Sequence, residues 1–133
     1  MKDTARFLKL LSDENRLRIL MLLGKRELCV CQLMGVLGVS QPLVSRNLSL
    51  LSSAGLLKER KDGKLSFYSM RRDLPRTADR VLRALRDDLR EDPVFLEDLK
   101  SLGECYDFMK KTGKCDMKTF LEYMKKHKKK KKG

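Results

Sequence analysis

The chain has 133 residues, a formal net charge of +13, 41% hydrophobic residues, 6% aromatic residues and no Trp. That length suits one domain with a modest, leucine-rich helical core; no apolar run approaches bilayer-spanning length, and residues 1–11 carry charges throughout, unlike a secretory leader. A cytoplasmic protein without a membrane partner is expected, and an enzyme is disfavoured, because the sequence holds no Ser-His-Asp set, no phosphate-cradling glycine loop and no His-rich metal motif.

In chain order, a first helix is predicted over residues 3–11, with Phe7, Leu8 and Leu11 on one face. Ser12 and Asp13 offer a cap for a second helix that runs to about Leu23 and stops at Gly24. A third helix is predicted from Leu28 to Leu37, followed by a Gly38-Val39-Ser40 turn. Ser40 can cap a fourth helix, in which Pro42 is tolerated because first-turn amides need no intrahelical partner. Leu43, Val44, Leu48 and Leu51 mark its buried side, and Gly55 ends it.

The period then changes from helical to alternating. Residues 56–60 and 65–70 read as strands flanking Lys61-Asp62-Gly63-Lys64, and Asp-Gly is a strong tight-turn signal because both residues accept positive φ. After Asp73-Leu74-Pro75 comes a long amphipathic helix with Ala78, Val81, Leu82, Leu85 and Leu89 in one stripe. Asp92-Pro93 interrupts it. Helices are predicted around residues 95–111 and 117–126, with a break at Thr112-Gly113. Residues 125–133 hold seven Lys; a lysine run is usually disordered and solvated. Without it the remaining 124 residues still carry +6, which suits a polyanionic partner. His127, the only histidine, falls in that tail and reads as solvated.

Two short helices joined by a glycine turn and followed by a basic hairpin form a winged helix-turn-helix. The fold class expected is therefore mainly α with a small β-hairpin. In this arrangement the second helix enters the major groove and its N-terminal residues meet base edges. Ser40, Gln41, Ser45, Arg46, Asn47 and Ser49 supply a polar set suited to base readout, since Gln and Asn pair with adenine and Arg with guanine. Arg60, Lys61 and Lys64 on the hairpin suit phosphate or a narrow minor groove. A solvated polar helix face would explain the first set alone; the ordered combination of turn, capped helix and basic hairpin is much more specific.

The four cysteines are Cys29, Cys31, Cys105 and Cys115. In a reducing compartment they are thiols, open to metal, redox or packing roles. Cys29 and Cys31 on a regular helix would point about 200° apart, so they converge on one ion only if the helix distorts or starts later. All four could close a tetrahedral zinc or cadmium site, and Lys114 beside Cys115 could lower that thiol's pKa and favour oxidation.

Three strings resemble the ArsR family of metalloregulatory repressors. Glu27-Leu28-Cys29-Val30-Cys31-Gln32-Leu33 is similar to the family's ELCVCDL metal box, with Gln32 in place of Asp. Ser40-Gln41-Pro42-Leu43-Val44-Ser45-Arg46-Asn47-Leu48 resembles its SQPxVSRHL recognition helix, with Asn47 in place of His. Residues 51–57 and 60–68 resemble its LLxxxGLL and wing segments. The resemblance spans residues 5–89 and implies a homodimer held by the first helix and the long helix after the wing. It also implies binding to an inverted-repeat operator in double-stranded DNA and release by As(III) or Sb(III) on cysteine thiolates.

Arsenic-responsive members carry a third Cys three residues after the second; here that position is Met34, so Cys105 or Cys115 is left as a third ligand, in cis or from the partner, or water completes a two-thiolate site. The alternatives are a Cd- or Zn-responsive repressor, a thiol-based redox sensor on the same fold, and an architectural DNA-binding protein. The chain divides into a DNA-binding and dimerisation unit (1–92), a C-terminal helical extension with two cysteines (93–124) and a disordered Lys-rich tail (125–133).

Overall fold

The computed structural model describes the backbone of residues 1–112 and the side chains of residues 1–105. Cys115, His127, the predicted 117–126 helix and the lysine run lie outside the described residues. In order, the elements are α1 (Lys2–Leu11), α2 (Glu14–Leu23), β1 (Leu28–Cys29), α3 (Val30–Leu37), α4 (Gln41–Ser53), β2 (Leu57–Asp62), β3 (Leu65–Met70), α5 (Arg76–Asp88) and α6 (Pro93–Thr112).

Local chemistry sets most of the boundaries. Asp13 starts α2 by accepting the Arg16 amide at 3.0 Å, and Ser40 starts α4 by accepting the Leu43 amide at 3.4 Å. These side chains satisfy amides that have no carbonyl partner in the first helical turn. Gly38 closes α3 at φ 70°, a left-handed conformation that favours glycine. Pro93 opens α6, where the Asp92 carboxylate accepts the Val94 amide at 2.9 Å. The dipeptide that interrupts one helix therefore begins the next.

Two boundaries differ from expectation. Leu28 and Cys29 are not helical: they form β1, which pairs antiparallel with β3 and makes the sheet three-stranded in the order β1-β3-β2. The predicted hairpin loop is also shorter. Lys61 and Asp62 continue β2, Asp62 pairs with Leu65, and only Gly63-Lys64 turns the chain. Positive φ falls on Gly63 alone (62°), as in a II′ turn, where the first loop residue takes the unusual conformation.

The core gathers the apolar faces of all these elements. Ile19 and Leu22 of α2, Leu28 of β1, Leu33 and Val36 of α3, and Val44, Leu48 and Leu51 of α4 are at most 1% exposed. On α5, Ala78 and Leu82 are buried, while Val81, Leu85 and Leu89 pack against the core only in part. Leu43, expected among the buried residues of the fourth helix, is exposed. Helix α6 packs on α3 and α2 and adds Phe95 and Leu102 to the same cluster. A part-buried charge pair reinforces that contact: Arg18 of α2 donates to both oxygens of Asp98, from Nε at 2.9 Å and Nη2 at 2.8 Å. The Asp98 hydrogen bond holds the Arg18 guanidinium pKa above its ordinary value. Among the described residues no helix is long and apolar enough to cross a membrane.

Candidate nucleic-acid interface and thiol pair

Helices α3 and α4 with the Gly38-Val39-Ser40 turn between them form the helix-turn-helix, and β2–β3 form its wing. Ser40, Gln41, Ser45, Arg46 and Ser49 are exposed on α4, as expected of groups that meet base edges. Lys61 and Lys64 are exposed at the hairpin tip, where two cations can reach phosphate.

Asn47 departs from the expected set. It is only 3% exposed and turns inward, where its Oδ1 accepts a hydrogen bond from Arg16 Nη1 at 3.3 Å. The same guanidinium donates from Nε to the Leu10 carbonyl at 2.7 Å. Arg16 thus ties α4 to the end of α1. The helical period explains the difference: Asn47 falls between Val44, Leu48 and Leu51 on the face that packs inward. A polar residue in that stripe is a signal that sequence reading can use, since a buried amide must find a partner.

Arg60 departs as well. Its Nη2 donates to Glu27 Oε1 at 2.7 Å and its Nε lies 3.2 Å from both Glu27 oxygens. The guanidinium also lies over the Phe67 ring, 4.7 Å from the centroid. That hydrogen bond from Arg60 holds the Glu27 carboxyl below its usual range. Arg60 is engaged within the protein rather than displayed at the wing tip.

The later start of α3 decides how the cysteines meet. Cys29 is the N-cap of α3, with extended backbone (φ −94°, ψ 168°), and Cys31 is the second helical residue. The 200° separation of a regular helix therefore does not apply, and the two sulfurs lie 2.8 Å apart. Cys29 also shares a reciprocal cap with Gln32: the Cys29 amide donates to Gln32 Oε1 at 2.9 Å, and the Cys29 sulfur accepts the Gln32 amide. Both sulfur-bearing residues are buried, at 1% and 4% exposure. Cys105 on α6 is buried too, and none of the three is in a disulfide. Among the described residues no group of three or more His, Cys, Asp or Glu side chains comes together as a metal-holding cluster. The residues present thus offer a soft ion two converging thiols.

Residues 13–59 match the model of the bacterial regulatory protein arsR family. The chain belongs to the arsR family. Its relatives include an arsenic resistance transcriptional regulator of Pseudomonas putida, 37% identical over 84 residues (62% of this chain, 66% of that protein). The arsenical resistance operon repressor of Escherichia coli is 45% identical over 75 residues (56% and 64%). A cadmium resistance regulatory protein CadC homolog of Staphylococcus aureus is 41% identical over 69 residues (51% and 57%). The arsR-family chain thus spans less than two thirds of the length of these relatives.

Among solved structures, HlyU from Vibrio cholerae superposes with a TM-score of 0.59 at 28% identity, over 68% of this chain and 95% of that one. The homodimeric winged helix-turn-helix DNA-binding domain Mb0332 from Mycobacterium bovis superposes with a TM-score of 0.56 at 27% identity, over 69% and 82%. The winged helix-turn-helix read from the sequence is the fold of this arsR-family protein.

Proposed function

We propose that this protein is a dimeric, sequence-specific DNA-binding repressor that leaves its operator when As(III) or Sb(III) binds the thiolates of Cys29 and Cys31. The observation that carries this reading is the 2.8 Å approach of two buried sulfurs at the start of α3, the first helix of the DNA-binding unit. Gln41, Ser45, Arg46 and Ser49 meet base edges, Lys61 and Lys64 meet phosphate, and Ser40 fixes the start of the recognition helix. Asn47 and Arg60 contribute by holding that helix and the wing in place. The names of the Pseudomonas and Escherichia relatives support arsenic as the inducer, and that of the Staphylococcus relative keeps cadmium, with zinc, as the alternative metal. Exposed Leu8 on α1 and half-buried Val81, Leu85 and Leu89 on α5 support those helices as the homodimer interface. The protein acts on double-stranded inverted-repeat DNA in the cytoplasm and carries out no catalysis.

A bound metalloid supplies a strong, directional thiolate bond; what this chain supplies is the coupling. The Cys29 sulfur is an acceptor in the α3 cap. Drawing it toward the ion would shift that acceptor and loosen the cap; sulfur is a weak acceptor, so the loss lies toward the low end of the about 0.5–2 kcal/mol that an oxygen cap contributes. Allosteric couplings are typically 1–3 kcal/mol, so the cap supplies a part of the effect and not the whole. Cys105 or Cys115 completes the ligand set, or water does so. Residues 1–92 then form the regulatory unit, and residues 93–124 hold the two further cysteines open to that role.

The closeness of the sulfurs favours one second reading, a redox sensor. Two thiols 2.8 Å apart need to close by less than 1 Å to reach the disulfide bond length of about 2.05 Å. In that case an oxidant takes two electrons, two protons leave and a Cys29–Cys31 bond forms.

Fluorescence anisotropy on an inverted-repeat operator, titrated with arsenite, antimonite, cadmium and zinc under reducing conditions, tests the proposal. Release by arsenite or antimonite that disappears in Cys29→Ser and Cys31→Ser is expected. Tight binding indifferent to all four ions sinks the metalloid reading, and release by peroxide alone establishes the redox one.

A further inference from the structure

We propose that Glu27 and Arg60 are positioning residues through which occupation of the Cys29/Cys31 pair acts on the wing, so that the hairpin delivers part of the DNA release. This rests on the reading of Cys29 and Cys31 as ligand-binding thiols. Cys29 does more than cap α3. It is the last residue of β1, where it pairs with Phe67 in the wing's own strand β3, and Leu28 pairs with Tyr68. A displacement of the Cys29 backbone is therefore a displacement of a wing strand's hydrogen-bonding partner.

A second connection runs beside this ladder. Glu27, two residues before Cys29, reaches past β3 to Arg60 on β2, with Nη2 and Oε1 2.7 Å apart. Arg60 in turn pairs with Phe67 and lays its guanidinium over that ring at 4.7 Å. Phe67 is thus the common partner of Cys29 on one side and Arg60 on the other. Cys29, Phe67, Arg60 and Glu27 close a circuit of one covalent segment, two strand pairings and one ion pair. Lys61, which follows Arg60 directly, is one of the two exposed cations at the tip. The ion pair is partly exposed, with side chains 50% and 33% accessible, so breaking it leaves the fold intact.

The experiment compares the operator affinity of arsenite-free and arsenite-loaded protein for wild type, Glu27→Gln, Arg60→Lys, Lys61→Ala and the charge-swapped pair Glu27→Arg/Arg60→Glu. Loss of titratable thiol on DNA-free protein scores occupation separately. Glu27→Gln and Arg60→Lys should shrink the ratio of the two affinities by about two- to fivefold, the range an exposed ion pair allows, with thiol occupation unchanged. The swapped pair should restore the ratio, and Lys61→Ala should weaken binding of the arsenite-free protein more than that of the loaded protein, shrinking the ratio in part because it removes a wing contact that loading would break. In hydrogen exchange, arsenite should speed exchange of residues 65–70 in wild type and do so less in Glu27→Gln.

A ratio unchanged in both single variants, with β3 exchange indifferent to arsenite, overturns the wing link. If arsenite leaves the thiol titre of wild type unchanged, the metalloid reading itself fails. Mercuric ion, which bonds dithiols generally, then replaces arsenite in the same comparison, and an unchanged ratio there overturns the wing link as well.

Discussion

At the scale of single residues, Asn47 and Arg46 sit next to each other and do opposite work. Arg46 is exposed on α4. Arg46→Ala should cost specific operator binding about 1–3 kcal/mol and relax base preference, with a smaller loss on random DNA. Equal losses on both DNAs would place Arg46 on the phosphates. Lys61→Ala should instead weaken both and lower the salt slope by about one, because a phosphate contact releases one counterion; an unchanged slope argues that Lys61 touches none.

Asn47→Ala strands the Arg16 guanidinium that the amide now meets at 3.3 Å. Leaving a part-buried donor without its partner costs about 1–3 kcal/mol, read as a lower denaturant midpoint with an unchanged m-value. A midpoint equal to wild type would show that water or the Leu10 carbonyl satisfies Arg16 without Asn47. The chemistry of the polar residues on α4 was legible in the sequence, as was the exposed face of Gln41, Ser45, Arg46 and Ser49; Asn47 was misplaced although its spacing from Val44, Leu48 and Leu51 puts it on the inward face.

At the scale of elements, caps and breakers read well. Ser12-Asp13, Ser40, Gly38 and Asp92-Pro93 all mark ends that the structure uses, because each acts through its own backbone or a neighbour's. The start of α3 read poorly. Leu28 and Cys29 have no local reason to be extended; β3, almost forty residues later, supplies the strand partner that makes them so. The two-residue error matters, since it changes whether the cysteines diverge or meet. The turn at Gly63-Lys64 moved for a related reason: the ladder from Leu57↔Met70 to Asp62↔Leu65 extends to the last pair that can form.

That ladder also has a pH signature. Burial raises the Tyr68 phenol above its ordinary value, and Glu59, its partner across the ladder, adds repulsion. The folded chain therefore holds this proton more tightly than the unfolded chain does. Its contribution to stability is complete below the ordinary phenol pKa of about 10 and is lost as pH rises beyond it. Thermal unfolding of wild type should fall away faster above that pH than unfolding of Tyr68→Phe; parallel curves would show that the phenol is not protected.

At the scale of the whole molecule, the family resemblance ends near residue 89, yet the core does not. Phe95 and Leu102 of α6 join the central cluster, and Asp98 pairs with Arg18. Arg18→Ala leaves the Asp98 carboxylate, 4% exposed, without its cation. Breaking such a pair costs about 3–5 kcal/mol when both partners are buried. Arg18 is 21% exposed, so about 2–3 kcal/mol is expected, read by calorimetry as a lowered Tm. Restoration by Arg18→Ala/Asp98→Leu would show that the loss comes from the orphaned charge rather than from a missing contact. A chain cut at residue 92 should for the same reasons be much less stable than the full chain. None of this was legible in the amphipathic pattern of residues 93–112, which predicts a helix but not the surface it covers.

The burial of Cys29 and Cys31 also has a consequence in time. Sulfurs on residues 1% and 4% exposed are out of reach of a dissolved ion until the surrounding structure opens, and such openings have their own rate. If the thiols are the sensor, the speed of derepression at high inducer is a property of the protein rather than of the inducer. Stopped-flow release from the operator should accelerate with arsenite concentration and then level off at the opening rate; a rate that keeps rising in proportion would mean that the pair is reached without any opening. A regulator built this way ignores a brief pulse of metalloid and answers a sustained one.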